Sequence, residues 1–433
     1  MRIAFVNQPI DTILPPYQSS VGACTYGAAC ALVKSCDVVV YGTKDQHRDF
    51  PGEFRERDVH FRFFPVPPSD RLMAKAKDKY SKLFPTSLPA SSSAWLFRAF
   101  GCQVAEDLRR QPCDVIHVQH CSQYLPVLRA LNPNAKIVLQ LHAEWFSQNR
   151  PAILEQRLRH VDLVTTVSDY ITEKTRRQFP RIAARCRTMY NAVDGAEFSR
   201  ERKGNAPQRE KRILYAGAVS PHKGLHVLLD AFSIVLQQYP EVHMDVVGLQ
   251  ATYPMAENFE LRDRELIESV HGFYTYDWIP KLKAKLSLTH PEAGSYLGHL
   301  KQRLSPEASK KVAFRGFVPR PELVNFYYNA DVFAFAPIWD EGFGIPPVEA
   351  MAAGVPVVAT RSGAVPEMVR DQETGFLVRK NDPSALAASI LKLLRDDDMR
   401  EKMGRAARLW VHQHFTWDRV AERMYECYTD LRS

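Results

Sequence analysis

Two carboxylates eight positions apart, Glu341 and Glu349, flank a glycine-bearing loop in the stretch Asp340-Glu341-Gly342-Phe343-Gly344-Ile345-Pro346-Pro347-Val348-Glu349. The apolar run before it reads as a strand ending near Pro337. The two prolines suit the first positions of a short helix, where a missing N–H is harmless. Gly342 and Gly344 let the backbone approach a ligand closely. The N–H groups of Gly342, Phe343, Gly344 and Ile345, together with the positive end of the helix dipole, make a seat for a diphosphate. Carboxylates beside an anion make sense only if they bind hydroxyls, so Glu341 and Glu349 suit the hydroxyl-rich ends of a nucleotide sugar, its hexose and its ribose. A tight turn with two surface glutamates would show the same pattern. A second strand–loop–helix junction, Tyr215-Ala216-Gly217-Ala218-Val219-Ser220-Pro221-His222-Lys223-Gly224, places Lys223 to reach a phosphate as a point charge.

The elements that would hold these loops alternate along the chain. Strand-like runs at Ile3–Val6, Asp37–Tyr41, Asp114–Val118, Lys136–Leu141, Asp162–Val167 and Cys186–Ala192 are separated by helical patterns. Several are apolar throughout, as parallel strands buried on both faces should be. Residues 200–212 are charged and without apolar periodicity, as an exposed linker is. A second series follows: Arg212–Ala216, Met244–Val247, Val312–Phe317, Val332–Phe335, Val355–Ala359 and Gly375–Val378, with a helix over Gly224–Gln238. The fold class expected is therefore α/β, with two Rossmann-like doubly wound parallel-sheet domains and a ligand in the cleft at the strands' carboxyl ends. The expected boundaries are 1–199 for the first domain, 200–212 for the linker and 213–409 for the second domain. Residues 410–433 are expected to form a helical stretch packing back on the first domain. Residues 249–290, aromatic and basic without clear alternation, read as an insertion.

The motifs Glu341-Gly342-Phe343-Gly344-Ile345 and Glu349-Ala350-Met351-Ala352-Ala353-Gly354-Val355-Pro356-Val357-Val358, preceded by Gly217-x-x-Ser220-Pro221-x-Lys223-Gly224, resemble the retaining nucleotide-sugar glycosyltransferases of family 4, which have the GT-B fold. The likeness runs from about residue 211 to 378 and continues in looser form to Phe415-Thr416-Trp417. In the first half Asn191-Ala192-Val193-Asp194 with Phe198 is similar to the family's N-G-V-D-x-x-x-F. The resemblance implies that Glu341 orients the donor sugar and Glu349 its ribose. It gives the diphosphate to Lys223 and the loop Gly342–Ile345, with Gly217 in the same junction. It implies that His142 lies near the reacting sugar and Gly22 in the turn over the diphosphate. The base would be read by backbone near Gly316-Phe317-Val318. The chain departs from the family at Gly217-Ala218, where the family commonly has G-R, at Gly22-Ala23 and at His142-Ala143-Glu144. The retaining route needs no side-chain nucleophile.

Composition excludes other classes. The 433 residues are 45% hydrophobic, 24% charged and without low-complexity runs, so the chain is globular. Apolar stretches fall far short of the ~18–20 residues of a membrane span. The N-terminus turns polar before a signal-peptide core could form, which leads us to expect a cytoplasmic protein. Eight scattered cysteines show no metal spacing and are expected reduced. No G-x-S-x-G or H-E-x-x-H occurs, and the acidic run Asp396-Asp397-Asp398 reads as a solvated helix end, so neither metal nor cofactor is expected beside the nucleotide-sugar donor. Sugar, lipid-linked and small-molecule acceptors all stay open. So do two other classes, a phosphorylase- or epimerase-like sugar enzyme and a non-enzymatic binding module.

The net charge of +8 lies in the first half, with 29 Lys and Arg against 20 Asp and Glu up to residue 203 and 28 against 29 after it. No nucleic-acid module is visible. Arg71, Lys75, Lys77, Lys79 and Lys82 alternate with Leu72, Met73, Ala76, Tyr80, Leu83 and Phe84 at near-helical spacing. This segment either lies on the anionic inner membrane surface or packs on its own domain.

Overall fold

The computed structural model describes residues 1–83, 95–143, 151–200, 210–250, 273 and 295–432, with the side chains of 77–83 left aside. Two compact units share the chain: Met1–Asp194 with Phe415–Ser433, and Gly195–Tyr253 with Leu261–His414.

The first unit is built on β1 (Arg2–Val6), β2 (Asp37–Thr43), β3 (Glu53–Glu56), β4 (Val59–Phe64), β5 (Val115–Gln119), β6 (Lys136–Leu141), β7 (Leu163–Thr166) and β8 (Cys186–Thr188). Their order in the sheet is β3-β4-β2-β1-β5-β6-β7-β8. All neighbours are parallel except β3 and β4, an antiparallel edge absent from the sequence reading. Side chains alternate between two cores, as the two-residue period of a strand requires. Ile3, Phe5, Val38 and Val40 enter one, Ala4, Val6, Val39 and Tyr41 the other. The helix Trp417–Arg432 lays Val420, Met424 and Tyr428 into the first of these cores.

The terminal boundary differs from expectation. Trp410 belongs to the helix Asp397–His414 of the second unit, where its Nε1 donates to the Met368 carbonyl at 2.9 Å. The chain then pauses at Phe415-Thr416. Val193 N–H donates to the Phe415 carbonyl at 2.9 Å and Trp417 N–H to the Val193 carbonyl at 3.1 Å.

The second unit carries β9 (Arg212–Ala216), β10 (His243–Val247), β11 (Val312–Gly316), β12 (Val332–Phe335), β13 (Val357–Thr360) and β14 (Gly375–Val378) in the order β11-β10-β9-β12-β13-β14, all parallel. The helices Leu225–Gln238 and Pro383–Arg395 bury Leu228, Phe232, Leu386 and Ile390 against one face of this sheet. The unit begins earlier than residue 213. Phe198 is fully buried beside Tyr327, with ring centroids 6.1 Å apart, and Arg408 donates to the carbonyls of Ser199 and Arg200. Residues 201–209 of the expected linker and most of the expected insertion lie outside the described residues.

None of the eight cysteines, all among the described residues, is in a disulfide. No helix of the described residues is long and apolar enough to cross a membrane.

Candidate functional site

The two junctions singled out by sequence meet at the carboxyl ends of β9 and β12. Gly224, at φ 66°, makes this possible, because a Cβ there would fall 1.8 Å from the Ala336 carbonyl oxygen. Ile338 N–H donates to the His222 carbonyl at 3.0 Å. We expect Gly224→Ala to cost more than about 2 kcal/mol, combining left-handed strain with a backbone clash; thermal denaturation checks it. His222 is buried edge-on to Trp339, with ring centroids 4.6 Å apart. Burial first, and then the Lys223 charge, hold its imidazole well below the usual histidine range, so it is neutral.

Lys223 lies with Nζ 4.9 Å from the Trp339 ring centroid and 2.6 Å from Glu341 Oε2. Trp339 Nε1 donates to the same oxygen at 3.2 Å. Neither donor touches Oε1. The Glu341 backbone is fixed as well. Its N–H donates to Ser362 Oγ at 3.2 Å, and its carbonyl accepts from Ala364 N–H at 2.9 Å. The Asp340 carboxylate accepts from Gly363 N–H at 3.0 Å and pairs with Lys380. The loop thus enters the next helix with its acidic pair pinned on both sides.

That helix, Ile345–Ala352, starts from Gly344 at φ 100°, a residue with no side chain to cap it. Pro346 and Pro347 bring no N–H, so the donors at this end are those of the loop and of Ile345. The other end closes as a Schellman motif. Gly354, at φ 78°, donates to the Met351 carbonyl and Val355 to that of Ala350, each at 2.9 Å.

Glu349 is buried and held through both carboxylate oxygens. It is 5% exposed, Arg320 Nη1 donates to its Oε1, and Tyr327 Oη donates to Oε2 at 2.6 Å. Arg320 also grips Glu197, with Nη2 2.6 Å from Oε2. Burial pulls the Arg320 pKa down, but the charges of Glu349 and Glu197 more than offset this and hold it above its ordinary value. Burial, and then Glu349, push the Tyr327 phenol well up, so it stays a donor. Arg320 and Tyr327 stand seven positions apart on the helix Arg320–Asn329, hence on one face. That spacing was the available signal for the pair.

Two further expected residues sit at the same sheet edge. Gly217, at φ 148°, follows β9, and its N–H donates to the Val247 carbonyl at 3.0 Å. Val318 lies two residues beyond β11, where the Gly316 carbonyl accepts from Gly248 N–H at 2.8 Å. Asp396 and Asp397 lie elsewhere, at the junction of the helices Pro383–Arg395 and Asp397–His414: Asp396 accepts from Met399 N–H at 2.8 Å, and Asp397 pairs with Arg400 and with Lys211, which precedes β9. Among the described residues no three His, Cys, Asp or Glu side chains gather as metal ligands would.

The first unit holds the remaining two. For Gly22 the resemblance implies a diphosphate contact, but its N–H is committed to the helix cap Ser19 Oγ at 3.1 Å. A Cβ there would fall 2.0 Å from the Thr12 carbonyl oxygen, so the glycine serves close packing. His142 follows β6, with Nε2 2.6 Å from Gln119 Oε1 and its ring 5.2 Å from that of His120. Burial first, then His120 and His117, hold it well below the usual histidine range. On this bonding the neutral ring donates from Nε2 and presents Nδ1 as an acceptor. Gln119 and His120 were missed because the sequence reading ended the strand at Val118; the run His117-Val118-Gln119-His120 was the signal.

Two family models meet on this chain. Glycosyltransferase Family 4 matches residues 21–197, and Glycosyl transferases group 1 matches 197–288 and 294–410. YtcC of Bacillus subtilis is 28% identical over 343 residues, 76% of this chain and 75% of that protein. A D-inositol 3-phosphate glycosyltransferase of Corynebacterium diphtheriae is 46% identical over 224 residues, 52% of this chain and 43% of the relative. In fold the chain is similar to sucrose-phosphate synthase of Thermosynechococcus elongatus, with a TM-score of 0.70 at 18% identity over 100% of this chain and 99% of the other. The chain belongs to the family 4 type of glycosyltransferases, with the GT-B fold.

Proposed function

We propose that this chain moves a hexose from a nucleoside diphosphate sugar to an acceptor hydroxyl of a glycan, a lipid or a small molecule, with retention at the anomeric carbon, in the cytoplasm and without a metal. The observation that carries this reading is the 2.6 Å contact between Lys223 and Glu341 at the entry to the helix Ile345–Ala352. It sets a cation and a hydroxyl acceptor beside the amides of a glycine loop. As the bond from the anomeric carbon to the phosphate oxygen breaks, negative charge grows on the diphosphate. Lys223 and the N–H groups of Gly342–Ile345 stabilise it, a well-aimed donor of this kind being worth about 3–4 kcal/mol. Glu341 Oε1 accepts from a sugar hydroxyl. Glu349 keeps one lone pair on each clamped oxygen for ribose hydroxyls. The backbone at Val318 faces the base, and His142 Nδ1 accepts from the sugar. The acceptor oxygen bonds to the anomeric carbon on the face that the phosphate leaves, and its proton passes to a phosphate oxygen. Support for the donor class comes from the Corynebacterium diphtheriae relative, named for glycosyl transfer, and from a fold neighbour, Anabaena HepE, solved with UDP-glucose.

A screen of UDP-, GDP- and ADP-sugars tests the reading. Slow hydrolysis of at least one donor is expected without acceptor, releasing the nucleoside diphosphate at the same rate in EDTA, and Glu341→Ala should abolish it. Calorimetry that finds no nucleoside diphosphate bound would remove the proposal. Activity that depends on free phosphate would convert it to a phosphorylase.

A further inference from the structure

Glu197 fills one of the open positions between Asp194 and Phe198, outside every motif that pointed to the site. It belongs to the second unit and meets the helix Arg320–Asn329 at its first residue. The contact has a geometry that only a guanidinium supplies. Arg320 Nε donates to Glu197 Oε1 at 2.9 Å, and Nη2 donates to Oε2 at 2.6 Å. Two bonds along one edge of a planar fork resist rotation, so the remaining nitrogen, Nη1, is aimed at one place. Glu349 Oε1 occupies it. The buried Phe198 ring stands beside the fork, its centroid 5.7 Å from Arg320 Cζ and 6.1 Å from that of Tyr327. Tyr327 closes on the other oxygen of Glu349 at 2.6 Å.

Charge works in the same direction. Two carboxylates share one guanidinium, so Glu197, Arg320 and Glu349 together keep an excess negative charge. Were Arg320 bound to Glu349 alone, the pair would be neutral and Glu349 a weaker acceptor. Glu197 therefore draws off part of the positive charge as well as anchoring the arginine. It leaves Glu349 anionic toward whatever meets its remaining lone pairs.

We propose that Glu197, Arg320 and Tyr327 are positioning residues that make the site selective for a ribonucleoside over a deoxyribonucleoside diphosphate. They act through Glu349, whose remaining lone pairs accept from the ribose hydroxyls. The inference rests on the nucleotide-sugar reading above and adds to it the residues that set the ribose contact. A carboxylate held from both sides cannot swing out to water when a hydroxyl is missing, so a deoxy sugar leaves a buried charge short of a donor.

Calorimetric titration of the full chain with UDP, GDP and ADP, and with their 2′-deoxy and 3′-deoxy counterparts, tests it. For the base that binds best, the ribose form should be preferred over at least one deoxy form by about tenfold to a hundredfold, the worth of one hydrogen bond to a charged group. Glu197→Gln should cut that preference at least about fivefold by weakening the ribose form alone, at a melting temperature close to the parent's, since Glu197 is partly in solvent. Arg320→Lys keeps the positive charge but loses the fork, and should cut the preference as far. Arg408→Ala releases the carbonyls of Ser199 and Arg200, farther along the same segment, and should leave the preference unaltered. Equal binding of ribose and deoxy forms by the parent, a loss shared equally by both forms in Glu197→Gln, or an equal fall in preference for Arg408→Ala would overturn the inference while the donor reading stands. A chain that binds none of the three nucleoside diphosphates overturns both.

Discussion

Lys223→Met should lower donor hydrolysis by about two to three orders of magnitude, and the double variant Lys223→Met, Glu341→Gln should recover stability without recovering rate. The two effects have different sources. In the folded protein Glu341 is nearly enclosed, its side chain 10% exposed, with Lys223 and Trp339 as donors to one oxygen. Removing the lysine alone leaves a carboxylate almost out of water beside a single indole N–H. Breaking a buried pair in this way costs about 3–5 kcal/mol, which differential scanning calorimetry would register. Changing the carboxylate to an amide removes the orphaned charge, and Trp339 can still donate to the amide oxygen. The rate loss has another origin: the diphosphate loses the cation that stabilises its developing charge, worth about 3–4 kcal/mol. If Lys223→Met melts early yet turns over within a few-fold of the parent, Lys223 is a strut for Glu341 and makes no productive contact with phosphate.

The second large effect is acid lability of the first unit. Burial holds His117 down to about 3 and His120 down to about 4. Each is a base with a depressed folded pKa, so below about 6.5 the unfolded chain takes up protons that the folded chain refuses. Their contribution is complete above about pH 6.5 and is lost as pH falls. At about 1.4 kcal/mol per unit the two together lose about 7 kcal/mol by pH 4. Asp11 works in the opposite direction. Burial raises its carboxyl to about 6, so the folded state holds a proton that the unfolded state has released. Lowering the pH from about 6 to 4 therefore returns about 3 kcal/mol. The histidines win by about 4 kcal/mol, a large share of the 5–15 kcal/mol that stabilises a typical domain. Urea midpoints measured between pH 7 and 4 should fall steeply for the parent and less so for His117→Gln. A flat profile would show that these imidazoles find water or partners once charged.

Why the second unit was more legible than the first follows from the residues. Lys136–Leu141, Arg212–Ala216, Val332–Phe335 and Gly375–Val378 were read with the limits they have, because parallel strands covered on both faces are short, apolar and bounded by turns. The edge strand β3 and its neighbour β4 are less legible because neither is a run apolar throughout. Val59-His60-Phe61-Arg62-Phe63 alternates instead, burying Val59, Phe61 and Phe63 on one face and setting His60 and Arg62 on the other, where Arg62 pairs with Asp107, and the hairpin bend at Arg57-Asp58 has both residues at positive φ. Lys223 and Glu341 could be named separately from their motifs. Their contact could not, since it depends on Gly224 admitting the Ala336 carbonyl. The clamp on Glu349 hides for a related reason: Glu197, Arg320 and Tyr327 are far from it in sequence, and only the helix face shared by Arg320 and Tyr327 hints that they act together. Gly22 shows the reverse case, a motif glycine whose N–H is taken up by its own helix cap.

The return of the chain to its first unit at Phe415 fixes an order of events during synthesis. Val420, Met424 and Tyr428 complete a core that begins with Ile3 and Phe5, and Tyr428 Oη bonds His117 Nδ1 inside it. A nascent polypeptide emerging from the ribosome can assemble the whole second unit while one side of the first unit's sheet is covered only in part, by the helix Ser20–Leu32. Closure must wait until the helix Trp417–Arg432 has been made, so a stop codon placed before it would leave the first unit, and not the second, exposed to aggregation.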